Sequence, residues 1–465
     1  MKKVAMLITG LWMMGPVFAQ TDVEKRAVTQ FQQDFNAAAY EAMYRRFSPQ
    51  MQQALPVSML KTVSEDIKKQ LGSIQNIEFI ENKGKATAIY KVRFEKDHLK
   101  LSLSLNDQQQ MTGLLFSPYI ESEAASNTTE NHIQSYPKDI AEKIFAATRT
   151  FPENTQVAIA VLDSKKTQYL GVHKYDNKIH EKANQDQVFA IGSISKVFTA
   201  TILAELVSQK KIGLEDSINR YYPFQFKDNI QLKFKDLSNH TSGLERLPTN
   251  LASDDATNPY KDYDAAKLHA YLQNDLVLNE VQLSSRAPTY SNLGVGLLGH
   301  TLALAQKTTL ENLYQQYIFS RYGMKNTFVN QEQAGKHLVP ALDVTGKEIP
   351  TWDFDVLLGA GGVLSTVEDM SRFAQAQLDA KNSALQMTQQ PSTVKVGHYQ
   401  MGMGWFIRES ENGQKVLWHG GNTAEHTSIL LLDLNKKKAV TILANVSAVH
   451  PEMGNIEQLA AELLK

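Results

Sequence analysis

Residues 193–206 read Ser193-Ile194-Ser195-Lys196-Val197-Phe198-Thr199-Ala200-Thr201-Ile202-Leu203-Ala204-Glu205-Leu206, a serine and a lysine three apart at the head of an apolar run. The run predicts a helix with Ser193 at its start and Lys196 about one turn on. Three residues of rise is roughly 4.5 Å, a distance that a proton transfer can bridge. A serine hydroxyl is a weak nucleophile until a base takes its proton, and a lysine whose charge is disfavoured by burial can be that base. Each unit of such depression corresponds to about 1.4 kcal/mol of differential stabilisation. Spacing alone selects nothing, because Ser58 with Lys61, Ser135 with Lys138, Ser208 with Lys211 and Ser392 with Lys395 repeat it.

Downstream, Arg286-Ala287-Pro288-Thr289-Tyr290-Ser291-Asn292-Leu293-Gly294 puts a tyrosine and an asparagine two apart ahead of a Gly-rich helical run. By itself this is a turn tyrosine beside a helix-capping asparagine. Beside Ser193, Tyr290 is a candidate proton carrier and Asn292 a candidate ligand for a substrate amide. Tyr175-Asp176-Asn177 has the same pattern but precedes the serine. A third element, Trp418-His419-Gly420-Gly421-Asn422, follows an apolar strand. Its two glycines would let a substrate lie close to the backbone; the plainer reading is a turn between strands.

Further out, a helix over 138–148 leads into strands at 157–162 and 168–172. Strands at 416–418, 427–432 and 439–444 precede a helix over 455–464. Strands at both ends of a helical middle predict one sheet closed by distant segments. Before this lies a different pattern. Val28, Phe31, Phe35, Ala39 and Met43 repeat at helical spacing and predict one amphipathic helix over 23–47, followed by a second over 57–71. Strand-like stretches come next at 74–79, 86–94, 99–105 and 111–116, which describes a small α+β domain. The polar, aperiodic stretch 121–136 reads as a linker. The expected organisation is therefore a domain over 21–118, a linker over 119–136 and a second domain over 137–465.

The chain has 465 residues and 42% hydrophobic content, enough for a large core and too long for one small domain. Lys plus Arg total 48 against 49 for Asp plus Glu, so no single-sign field would gather nucleic acid or an anionic membrane. A small or peptide-like substrate is the expected partner. Met1-Lys2-Lys3, the apolar run 4–14, and Val17 and Ala19 before Gln20 fit a signal peptide cleaved near Ala19, which predicts export to the periplasm or beyond. The absence of cysteine excludes disulfides, thiol catalysis and thiolate metal sites. No Gly-x-Ser-x-Gly elbow occurs, and His180-Glu181 lacks the second histidine of a His-Glu-x-x-His zinc site. No metal or other cofactor is expected.

Ser193-x-x-Lys196, Tyr290-x-Asn292 and His419-x-Gly421, in that order, resemble the class C β-lactamase and penicillin-binding-protein family. The segments 237–244 (Leu-Ser-Asn-His-Thr-Ser-Gly-Leu), 361–366 (Gly-Gly-Val-Leu-Ser-Thr) and 399–405 (Tyr-Gln-Met-Gly-Met-Gly-Trp) are similar to the same family. The likeness spans roughly 140–464, and the N-terminal domain resembles NTF2-like modules of the DUF3887 type. The resemblance implies an α+β fold: an antiparallel sheet flanked by helices with a mostly helical lobe, preceded by a small α+β domain. It implies Ser193 as nucleophile, Lys196 and Tyr290 as a coupled base, and Asn292 as a substrate contact. His419 and Gly421 would lie at the substrate edge, and the amides of Ser193 and Asn422 would form an oxyanion hole, where one donor typically matters by ~3 kcal/mol.

One departure shifts the expected substrate. His419-Gly420-Gly421 stands where β-lactamases of this family usually have Lys-Thr-Gly, so a histidine, mostly neutral near pH 7, replaces a fixed cation. An ester or D-residue peptide is therefore expected ahead of a β-lactam. A third reading is a non-catalytic sensor that keeps the hydrolase domain as a scaffold.

Overall fold

Thr21 caps the first helix from both sides: its side chain accepts the Glu24 N–H at 3.2 Å while the Glu24 carboxylate accepts the Thr21 N–H at 2.7 Å. In the computed structural model, residues 20–55, 57–83, 87–119, 128–164, 166–251, 255, 258–279, 288–379, 381–396, 399–409 and 413–465 are described. The expected signal segment, 1–19, lies outside them. The chain divides into two compact units, one through Ala125 and one from Ser126 onward.

In the first unit the single helix expected over 23–47 is two, Asp22–Asn36 and Tyr40–Arg45. The break falls at Ala38, whose φ of +55° ends the first helix although the apolar spacing continues through it. Asn36 anchors the start of the first strand by donating to the Ile74 carbonyl and accepting the Ile74 N–H, both at 2.8 Å. Strands Ile74–Lys83, Thr87–Phe94, His98–Leu105 and Met111–Pro118 then pair in sequence order as an antiparallel meander. Phe31, Phe35 and Phe94 are buried between helix and sheet, and each such side chain contributes about 1.5–3 kcal/mol.

The second unit is built on a ten-stranded sheet. Its order is 395–396, 399–401, 406–409, 415–422, 427–433, 438–444, 156–163, 166–175, 178–181 and 130–132. All neighbours are antiparallel except the last pair, Glu130–His132 with Lys178–His180. That edge strand corrects the expected linker, since Glu130–His132 lies inside 119–136 yet is hydrogen-bonded into this sheet. The C-terminal strand Lys438–Ala444 pairs with Gln156–Asp163, Ile442 opposite Ile159, so the two ends of the unit meet in the middle of the sheet.

Alternation along these strands sends side chains to opposite faces. Val157, Ile159, Val440 and Ile442 pack with Ile144, Ile456 and Leu459, from helices Lys138–Thr148 and Gly454–Leu464. Ala158, Ala160, Leu430 and Leu443 face the other way into the helical lobe, with Phe198, Leu203 and Phe373. Helix Ser195–Ser208 is buried on every side from Ser195 to Leu206, which is why its sequence is apolar without a polar face. Among the described residues no helix is long and apolar enough to cross a membrane.

Candidate active site

Ser193 sits in a single 3-10 turn, Gly192–Ile194, that runs directly into helix Ser195–Ser208. The turn starts at Gly192 with φ +48°, and a Cβ there would lie 2.8 Å from the Asn422 backbone nitrogen. The bare glycine thus lets strand Lys415–Asn422 bring its last amide beside the serine. The second serine of the motif is structural. Ser195 is fully buried, donates to the Gly192 carbonyl at 2.7 Å and accepts the Val363 N–H at 3.1 Å, tying the turn to the 361–366 segment.

Lys196 is 1% exposed. Its Nζ lies 3.0 Å from Ser193 Oγ and donates to Asn292 Oδ1 at 2.8 Å and to the Ala360 carbonyl at 2.6 Å. Among the described residues no carboxylate pairs with it. Burial pushes its pKa well below the ordinary ammonium range, and the nearby Arg246 charge acts in the same direction. In another repeat of the spacing, Lys211 contacts the Tyr317 hydroxyl at 3.1 Å.

The Ser193 side chain is near enough to the Tyr290 hydroxyl to act on it. Burial pushes the phenol up to about 12, against weaker lowering by Ser193 and Arg246. The Lys196 ammonium position is 4.7 Å from the Tyr290 ring centroid. The cap of the next helix, Asn292–Gln306, is Ser291, whose side chain accepts the Gly294 N–H at 2.8 Å. Asn292 is therefore free of the capping role and faces Lys196. Its Nδ2 donates to the Tyr260 hydroxyl at 3.2 Å, leaving one N–H for a substrate. Tyr175-Asp176-Asn177, the other tyrosine-asparagine pattern, is a hairpin turn with φ +50° and +55° at Asp176 and Asn177.

His240, in the 237–244 segment, holds Tyr290 in place. Its carbonyl accepts the Thr289 N–H at 2.9 Å, its Nδ1 accepts the Ser291 N–H at 3.1 Å, and its ring lies 4.6 Å from the tyrosine ring. Accepting at Nδ1 puts its proton on Nε2, and burial keeps the ring neutral.

His419 is 2% exposed. Its Nδ1 donates to the Gly420 carbonyl at 2.7 Å, and burial drives its pKa to about 3. It is therefore neutral because it is buried, and not merely because ordinary imidazole is mostly neutral near pH 7. The strand also continues through His419-Gly420-Gly421-Asn422 instead of ending before it. A Cβ at Gly421 would lie 2.0 Å from the Ile191 carbonyl, whereas one at Gly420 would meet nothing nearer than 3.7 Å. Within the protein the close approach is at Gly421, where the neighbour is the Ile191 backbone.

Gly192, Ser193, Asn292, Asn422 and the aromatic residues Tyr260, Trp352 and Phe354 line a small recess over the serine. Tyr260 stacks on Phe354 with ring centroids 4.6 Å apart. A larger hollow of about 260 Å³, beside Phe319, Met324 and Phe328, shares no residue with it. Three residues past Asn422, Glu425 is fully buried; its carboxylate accepts the Trp352 N–H at 2.8 Å, and Thr423 also acts on it. Burial raises its pKa to about 7. Tyr260, Trp352, Phe354, Arg246 and Glu425 do not stand out in the sequence. Arg246 lies two residues beyond the 237–244 segment, and the others carry no local pattern.

A largely antiparallel sheet closed by both ends of the second unit, with a serine at the head of a buried helix and a lysine one turn on, defines a class of serine hydrolases. Residues 146–465 match the family model described as Beta-lactamase, and 28–114 match the one described as Protein of unknown function (DUF3887). The chain belongs to the β-lactamase family. It is 24% identical over 258 residues to a β-lactamase of Pseudomonas fluorescens, covering 54% of this chain and 68% of that protein. It is 29% identical over 299 residues to β-lactamase-like protein 4 of Dictyostelium discoideum, covering 58% of this chain and 48% of that one. Among solved structures, a β-lactamase/D-alanine carboxypeptidase from Pseudomonas syringae superimposes with a TM-score of 0.57 at 20% identity, covering 70% of this chain and 97% of the other. A class C β-lactamase from Rhodobacter sphaeroides gives 0.58 at 19%, covering 70% and 98%. Both are likenesses of fold.

Proposed function

We propose that this protein hydrolyses an ester or a D-residue peptide through an acyl-enzyme on Ser193. The observation that carries the proposal is the surroundings of Lys196. A buried ammonium with no carboxylate beside it is costly, so the amine is held neutral. A neutral amine has two N–H groups, spent on Asn292 Oδ1 and the Ala360 carbonyl, and one lone pair, left for the Ser193 hydroxyl.

In the first step Ser193 Oγ bonds to the substrate carbonyl carbon and its proton passes to Lys196. The carbonyl oxygen becomes negative beside the backbone N–H groups of Ser193 and Asn422. Collapse breaks the bond to the leaving group, which takes a proton from Tyr290; Lys196 then restores that proton to the phenol. A phenol with a pKa of about 12 holds its proton at neutral pH, which suits it to the donor half of the couple, with Lys196 the acceptor half. Water repeats the sequence to release the acid. Asn292 orients the substrate with its remaining N–H.

An ester or D-peptide ranks first because a buried, neutral His419 offers no charge for the carboxylate of a β-lactam. β-Lactam hydrolysis is the second reading, favoured by what the relatives are named. The basic start and apolar run within 1–19 support export, which N-terminal sequencing of a periplasmic fraction tests. The chemistry is tested by intact-protein mass spectrometry with penicillin, a fluorophosphonate and a p-nitrophenyl ester. A Ser193 adduct with turnover of the ester alone is expected. Rapid turnover of penicillin would move the assignment to β-lactamase, and the absence of any adduct would leave a non-catalytic sensor.

A further inference from the structure

We infer that Arg246 is the anion-recognising residue of this cleft, placed to take a carboxylate carried by the substrate. Its guanidinium carbon lies 5.3 Å from the centroid of the Tyr290 ring. It is exposed, yet its backbone is fixed: its carbonyl accepts the N–H groups of Asn292 at 2.9 Å and Leu293 at 3.1 Å, while the Ser291 hydroxyl donates to the Glu245 carbonyl at 2.6 Å. The loop bearing Arg246 is thus laced to the turn bearing Tyr290 and Asn292. Its charge acts on Lys196, Tyr290, His240 and Tyr260. Among the described residues no carboxylate pairs with it; the neighbouring Glu245 acts instead on Tyr271.

The other nitrogen bases of the cleft are weaker cations: burial lowers His240 and His419 below the ordinary imidazole range and Lys196 well below the ordinary ammonium range. One planar, permanently charged fork therefore stands unpaired beside the reacting groups, in the geometry that takes a carboxylate through two parallel hydrogen bonds. The charge that His419 does not offer is supplied by Arg246, beside the Tyr290 ring.

This inference rests on the hydrolase reading. The carboxylate can lie on the acyl or the leaving group, so two pairs of esters test it. One pair is mono-p-nitrophenyl glutarate against p-nitrophenyl pentanoate; the other is 3-acetoxybenzoate against 3-acetoxybenzamide. In at least one pair, Arg246→Gln is expected to lower the anionic-to-neutral ratio of kcat/KM by about 30-fold, chiefly through KM, with partial recovery in Arg246→Lys. The pair that responds identifies the side. Equal losses on both members would mean that Arg246 acts only through Lys196 and would overturn the assignment, as would unchanged ratios in both pairs. Ser193→Ala separates the two readings: turnover surviving in that variant overturns the hydrolase proposal. Turnover lost there, together with ratios near one in wild type, overturns the Arg246 assignment alone.

Discussion

Lys196 faces two carbonyl oxygens and one hydroxyl in a buried setting, and in the proposed mechanism its deprotonation is what would make the serine reactive. Lys196→Ala and Tyr290→Phe should each slow acylation of Ser193 by about 100-fold or more without unfolding the chain, measured as fluorophosphonate labelling rate beside circular dichroism. Because the lysine must be neutral, kcat/KM should rise with pH through its depressed pKa and hold until the phenol begins to ionise near about 12. His419 should contribute no inflection near neutrality, since its pKa lies at about 3. Glu425 gives a prediction of opposite sign. Unfolded, it ionises near 4.5; folded, it keeps its proton up to about 7. The folded state binds more protons across that window, so this group's contribution to stability declines as pH rises through it. Glu425→Gln should therefore raise the melting temperature at pH 8 relative to wild type and change it little at pH 4, which a pair of thermal scans would check.

At the level of elements, the strand Lys415–Asn422 and the turn Gly192–Ile194 form one joint. Gly421→Ala places a methyl group where the Ile191 carbonyl already is, so it should cost about 2 kcal/mol or more and slow labelling of Ser193. Gly420→Ala, one residue earlier with no neighbour nearer than 3.7 Å, should change neither measurement appreciably. Equal behaviour of the two variants would refute this account of the joint. Sequence reasoning found the pair of glycines but not which one matters, because the deciding contact comes from a residue 230 positions away in the chain, between Ile191 and Gly421. The break at Ala38 was illegible for a related reason. Apolar spacing records which side chains face the core, and both short helices face the same one. The helix at Ser195 and the strands at 156–163, 427–433 and 438–444 were legible because burial imposes their apolar pattern directly.

For the molecule as a whole, we propose that the boundary between the two domains falls near residues 125–128. A fragment of residues 128–465 should then fold and label with a fluorophosphonate at a rate close to that of the full chain; failure to fold would place essential contacts in the first unit. The candidate nucleophile, lysine and tyrosine were legible from order and spacing. Arg246, Tyr260 and Glu425 were not, since each gains its meaning from what surrounds it in space. The way the sheet closes has a consequence for how the protein is made. Strand Gln156–Asp163 leaves the ribosome long before its partner Lys438–Ala444, a gap on the order of 15–55 s at ordinary synthesis rates. Through that interval the apolar edge stands open and Ser193 waits without the Asn422 amide. In the proposed mechanism, therefore, the nascent chain gains its complete reactive centre only once Asn422 has been made and strand Lys415–Asn422 has reached the serine.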